Sequence, residues 1–520
     1  MGYSPNNPLV PGDPYSYDLR WMVEQIKAWK DPLDSAERAE ASAEAAAISA
    51  AEAQAAAGAL DQPFVTPEMF GAVGDGITDD KAAFTAAIAS GKPVYCHGEK
   101  TYAVSVTIGD TSAISLLSGS ILNLNGATLQ ILNPSDLTTY EIVAITGKDR
   151  CLICNGIIKG DRTTHSGSTG EHGMGISIFE SARVFVKDIY ISDCWGDGIY
   201  IGGTYASSEH IVIDNAHCYN NRRNGLSLVN GNDVKIINST FEDTNGTAPE
   251  FGIDVETNSA TDQIKNVIIA NCNFINNTKG AVNVYVHSAN ASVNIQDIIA
   301  DGEISVVFLA DNSSAVVTNV ITTPKNAQAA FVAGSYGNSS VQIANASVNA
   351  AASIECVLRY AYNQPHNNIS CEAYVYNGTI ARITLAYDSS TQFNCHNIFN
   401  FKNVTVGTLN NVVPNHQEST NSGEVIGSFT ASGNVIGGMF TEIIFPANFS
   451  PTNVNLWYLT ASDHWHVIRN TDTNLHRLIS QTFRSILSNT TFSQVDMPPG
   501  SACFYKYIPT LNEVIYYLIS

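Results

Sequence analysis

Two carboxylates two residues apart, Asp254 and Glu256, lie inside the run Gly252-Ile253-Asp254-Val255-Glu256. If Ile253 and Val255 point into a core, both acids point out on one side, because side chains alternate along a strand. Their Cα atoms then stand about 6.5–7 Å apart. That spacing suits two carboxyl groups flanking a glycosidic bond, one giving a proton and the other activating water. Only 14% of the chain is charged, against roughly 25% in ordinary soluble domains. Two acids on one strand are therefore unusual here.

A repeat supplies the scaffold. Gly175-Ile176-Ser177-Ile178, Gly198-Ile199-Tyr200-Ile201, Gly225-Leu226-Ser227-Leu228 and Gly252-Ile253-Asp254-Val255 recur at steps of 23, 27 and 27 residues, and Ala281-Val282-Asn283-Val284 follows 29 later. Between them runs a second strand type, such as Ile211-Val212-Ile213 and Val234-Lys235-Ile236, each followed by an acid or amide: Asp193, Asn215, Asn238, Asn271. Like residues at fixed offsets are what a parallel β-solenoid requires, since each coil lies on the next at roughly 4.8 Å. Asn side chains stacked in this way hydrogen-bond up the ladder. A propeller blade would need about 40–45 residues per repeat, and a leucine-rich repeat would show regular leucines and a helix. The expected fold is a mainly β, single-stranded parallel β-helix.

Stacking brings more groups to the wall that carries Asp254. Ser177, Tyr200, Ser227 and Asn283 are the equivalent outward positions. Asp197 precedes Gly198 two coils below and is expected as a third catalytic acid. Arg222 and Arg223 precede Gly225, one coil below; an arginine so near would hold a carboxylate ionised. The loop 160–173 brings Glu171 and His172 to the same wall. Trp195, Tyr200 and Tyr219 are candidate platforms for sugar rings. The competing expectation for each of these residues is plain surface chemistry, with Arg222 or Arg223 in solvated ion pairs worth under about 1 kcal/mol.

The rest of the composition excludes more than it assigns. Lys+Arg 26 against Asp+Glu 48 gives a net charge of −22, which leaves no basic face for nucleic acid or anionic lipid. No apolar run is long enough for a membrane helix, and Met1–Asn6 does not read as a signal peptide. Ten irregularly spaced cysteines do not form a disulfide framework. Cys151 and Cys154 form a C-x-x-C without a second pair, so buried thiols are expected. His464-Trp465-His466 has no third ligand. No metal and no cofactor are implied.

Residues 1–32 read as an arm with a short amphipathic helix built on Leu19, Met22, Val23, Ile26 and Trp29. Residues 33–62 are Ala-rich. Ala36, Ala39, Ala43, Ala46, Ala50, Ala53, Ala57 and Leu60 step alternately by three and four, the seam of a coiled-coil neck. Residues 63–412 hold the repeats. Periodicity fades beyond Pro414, and 413–520 reads as a β-rich domain for trimerisation or glycan binding.

The segment Pro67-Glu68-Met69-Phe70-Gly71-Ala72-Val73-Gly74-Asp75-Gly76-Ile77-Thr78-Asp79-Asp80-Lys81, running on to Ile88, closely resembles the opening motif of pectate-lyase-like right-handed parallel β-helix proteins. Asp75, Asp79 and Asp80 match its structural turn and cap. Together with the arm, helical neck and β-rich end, the chain resembles bacteriophage tailspikes and tail fibres. That resemblance implies a homotrimer docked on phage tail or portal-proximal proteins through its N-terminus. It would be part of the virion, acting outside the cell on bacterial surface polysaccharide during host adsorption. Asp254, Glu256 and Asp197 would then serve a glycoside hydrolase. The alternatives are a polysaccharide lyase or epimerase of the same fold, with Arg223 as base, and a receptor-binding fibre without chemistry.

Overall fold

Hydrophobic residues at every second position, interrupted by Gly, Asn and Asp, give strands that turn sharply and repeatedly. The computed structural model describes residues 62–361 apart from 107–109 and 133–136, the strands beyond them, and side chains to residue 381. The expected arm, amphipathic helix and coiled-coil neck lie outside the described residues.

A short α-helix, Lys81–Ala89, closes the lower end, burying Phe84, Ala87 and Ile88. The three acids of the opening motif hold this cap. Asp75 accepts the Ile77 and Thr78 N–H groups. Asp79 accepts those of Lys81 and Ser105, and Asp80 those of Val73 and Gly74.

From Val94 upward the chain winds in parallel coils with three faces. On the first face, Val94, Leu122, Ile153, Val186, Ile213, Ile236, Ile269 and Ile295 pair rung upon rung. On the second, Ile158, Ile191, Cys218, Phe241 and Phe274 do the same, and Phe241 stacks on Phe274 with centroids 5.4 Å apart. On the third, Ile176, Ile199, Leu226, Ile253 and Val282 form the inner column. These columns meet in one continuous core of fully buried aliphatic and aromatic side chains. Each coil thus completes the core of its neighbours.

Two amide ladders run up the corners, with Asp188, Asn215, Asn238 and Asn271 on one and Asp193 and Asn220 on the other in the left-handed region that Asn and Asp tolerate best. Asn215 donates to Asp188 (2.6 Å), Asn238 to Asp214 (2.8 Å) and Asn271 to Asn238 (3.1 Å). Asp193, expected in that column, belongs instead to the second ladder, where it accepts from Asn220 at 2.6 Å. The cause is register: Ile189 pairs with Ala216, so the residue level with Asn215 is Asp188.

Parallel pairing continues through Ser422–Ala431 and Glu442–Phe445, later than the fading of the repeat in the sequence. Antiparallel pairs appear between His476–Ser485 and Thr491–Met497, and between Ala502–Ile508 and Glu513–Ile519. All eight described cysteines are free and buried. Burial pushes the Cys151 and Cys154 thiols up to about 12, which leaves them inert at neutral pH. No helix of the described residues is long and apolar enough to cross a membrane.

Candidate functional site

The outer column of the third face reads Ser177, Tyr200, Ser227, Asp254, Asn283 in unbroken register. Asp254 therefore stands directly over Ser227 and two rungs over Tyr200. Glu256 shares its side of the strand, level with Tyr285, while Val255 between them is fully buried.

Asp254 points out of the core yet is only 2% exposed. Asn283 on the rung above donates to its Oδ1 at 2.9 Å, and Asn224 below lies 3.4 Å from Oδ2. The expectation that a nearby arginine keeps this carboxylate low is corrected here. Burial is the larger effect and pushes Asp254 up to about 6, with Glu256 and Asp197 adding to the rise and Asn283 and Arg223 opposing it. Desolvation outweighs the guanidinium because that guanidinium is engaged elsewhere.

Arg223 binds Asp197. Its Nη1 lies 3.0 Å from Oδ2 and 3.3 Å from Oδ1, and it also donates to Ser227 Oγ at 3.2 Å. Asp197 is wholly buried and also accepts the Asn224 N–H at 3.0 Å. The structure thus places Asp197, expected as a third catalytic acid, inside the wall with its carboxylate on Arg223. Burial raises the Asp197 carboxyl against the opposing pull of Arg223. Glu171, half-exposed at the rim, reaches Arg223 Nε at 3.6 Å. His172 is exposed beside it.

Tyr200 lies across the floor of this wall. A Cβ on Gly202 would stand 2.8 Å from Tyr200 Cε1, so the glycine lets the ring lie down along its own strand. Glu141 reaches the same floor, where Ser177 bonds it and burial raises its carboxyl above the ordinary value.

Two expected aromatic platforms fail. Trp195 is 8% exposed, with His165 stacked at 4.0 Å and the Arg222 guanidinium at 3.9 Å from its ring. Two planar groups that close to one ring must occupy opposite sides, so no face remains for a sugar. Arg222 is committed further by donating to the Gly170 and Trp195 carbonyls, so it braces the site without facing it. Tyr219 lies on the second face, level with Ser192 and Glu242 and packed with Tyr190, away from Asp254.

The loop 160–173 is strapped down by groups the sequence reading passed over. Asp161 accepts from Tyr140 Oη and meets His165 Nδ1 at 2.8 Å. Trp195 Nε1 donates to the Thr169 carbonyl at 3.2 Å. Arg162 donates to Asn220 and Asn245. Asn224, also missed, stands immediately before its repeat glycine just as Asp197 does, so aligning the repeats could have found it. Nothing of that kind marked Asp161 or His165. Among the described residues no group of acids, histidines and cysteines is placed to hold a metal.

A continuous wall of this kind, with polar groups drawn from separate rungs, defines a right-handed parallel β-helix protein, and residues 135–298 match the family model described as a right handed beta helix region. Over 292 residues the chain is 26% identical to the uncharacterised protein YclG of Bacillus subtilis, covering 50% of this chain and 49% of that protein. Over 255 residues it is 28% identical to the pre-neck appendage protein of Bacillus phage phi29, covering 45% of this chain and 29% of that protein. The chain thus spans half or less of the curated relatives it matches. A tailspike of E. coli bacteriophage HK620, solved in complex with a pentasaccharide, superposes with a TM-score of 0.55 at 11% identity, covering 87% of this chain and 85% of that one. The protein is a right-handed parallel β-helix that is similar over part of its length to phage appendage proteins.

Proposed function

We propose that this protein is a virion spike that binds a bacterial surface polysaccharide and hydrolyses it. Asp254 is the general acid: its enclosure keeps a proton on it close to neutrality, as acid catalysis at a glycosidic oxygen demands. Glu256, on the same side and less enclosed, is the base that activates water. Alternate residues along a strand stand about 6.5–7 Å apart between Cα atoms, which puts both carboxyl groups on one side of the same wall. Tyr200 offers its ring to a sugar. The carrying observation is the pairing of a buried, amide-held Asp254 with an accessible Glu256 on one wall. The phage relatives support placement on a virion; assembly of three copies and attachment through residues 1–32 belong to the same proposal.

Incubation with surface polysaccharide, followed by sizing of the product, tests this. Asp254→Asn and Glu256→Gln should each slow depolymerisation by ~100-fold or more while leaving glycan binding in place. Tight binding with unchanged glycan length by the wild-type protein would overturn hydrolysis and leave a receptor-binding fibre. An unsaturated, ultraviolet-absorbing product end would identify a lyase instead.

A further inference from the structure

We propose that Asp197 is a positioning residue whose task is to keep the Arg223 guanidinium off Asp254. It deepens the hydrolase reading above, but its own test does not depend on activity.

Arg223 comes from the turn between the rungs of Asp197 and Asp254, and three carboxylates surround it. Asp197 takes its Nη1 with both oxygens, at 3.0 and 3.3 Å. Glu171 faces its Nε at 3.6 Å from the rim. Asp254 is bonded by the Asn283 and Asn224 amides instead. Ser227 Oγ sits where the two halves meet, accepting from Arg223 at 3.2 Å and from Asn224 at 3.0 Å. Nη1 is therefore already directed at the residue immediately beneath Asp254 in the column, and it is Asp197 that restrains it.

A largely buried guanidinium deprived of its carboxylate is driven to the next available one. Without the charge on Asp197, Arg223 has Asp254 above and Glu171 at the rim. Turning to Asp254 would convert a proton donor into a permanently ionised partner. The charged groups acting on Asp254 are Glu256 on its own strand and Arg223 and Asp197 from the coils below, and its remaining polar neighbours are neutral amides and Ser227. Loss of Asp197 removes one repelling charge and frees the single attracting one. Both changes act in the same direction.

The test is a carbon-13 NMR titration of protein labelled at the aspartate carboxyls, with Asp254 assigned from the Asp254→Asn variant. Asp197→Asn should lower the Asp254 midpoint by about one pH unit, tenfold in proton affinity, and Arg223→Gln should raise it. If Asp197→Asn does not fold, Asp197→Ser, which keeps an oxygen for the Asn224 N–H, carries the same expectation. A midpoint unchanged or raised when Asp197 is replaced overturns the proposal. So does a guanidinium that moves to Glu171 instead, recognised when adding Glu171→Gln lowers the Asp254 midpoint. Failure of the hydrolase reading would appear separately, as wild-type protein that leaves every glycan intact.

Discussion

Tyr200 rests on Gly202, two residues further along its own strand, so closely that a Cβ there would lie 2.8 Å from Cε1 and 3.0 Å from the phenol oxygen. The ring is the movable partner. Gly202→Ala should lift Tyr200 from the wall and weaken glycan binding about fivefold, as expected when one aromatic platform worth roughly 1 kcal/mol is lost. Thermal melting should move little. Calorimetric titration with glycan and a melting curve on the same variant check both halves.

Asp254 makes stability depend on pH. Its folded value of about 6 stands above the ordinary 3.8, so between them the native state holds a proton that the unfolded chain has lost. The favourable contribution is complete below the lower value and disappears as pH rises through the upper one, a change of ~3 kcal/mol. Asp254→Asn should therefore match wild type near about pH 4 and exceed it near about pH 8 by up to that amount. Denaturant melts across this range measure it. A gap that widens toward acid would contradict the sign.

The corner ladder offers a purely structural test. Asn238 adopts φ +53°, donates to Asp214 and accepts from Asn271. Asn238→Ala forfeits both bonds and places a β-carbon in the left-handed region, for ~1–3 kcal/mol of destabilisation. Asn238→Gly, which removes the backbone strain, should recover part of it. Comparing the two denaturant midpoints separates ladder from strain.

Trp195 should behave as a rivet. Trp195→Ala removes the ring held between His165 and Arg222 and the bond to the Thr169 carbonyl. We expect ~3 kcal/mol or more of destabilisation and rapid protease nicking within 160–173. Trp195→Phe, which keeps a flat ring but no N–H, should fall between. Timed proteolysis with mass spectrometry of the fragments reads this out.

The Gly-apolar-x-apolar spacing made the third-face column legible, and with it the neighbours of Asp254. Periodicity fixes which residues stack and which side of the strand they take. It does not say how deep an outward side chain ends up. Asp197 and Asp254 became buried, and Trp195 lost both faces, because the turns and the loop 160–173 fold against the wall through contacts made between irregular segments. Tyr219 was misplaced for another reason: it ends a strand of the second face, and a corner separates it from Arg222 only three residues on. Asp161 and His165 carry no repeat signal at all, and only the folded strap brings them to Tyr140 and Trp195.

The thiols have a bearing on the protein's history. The eight described cysteines are buried thiols, none of them in a disulfide, so no crosslink among those sites holds the cylinder together. A chain built this way can fold under reducing conditions, because no covalent crosslink among those sites has to form first.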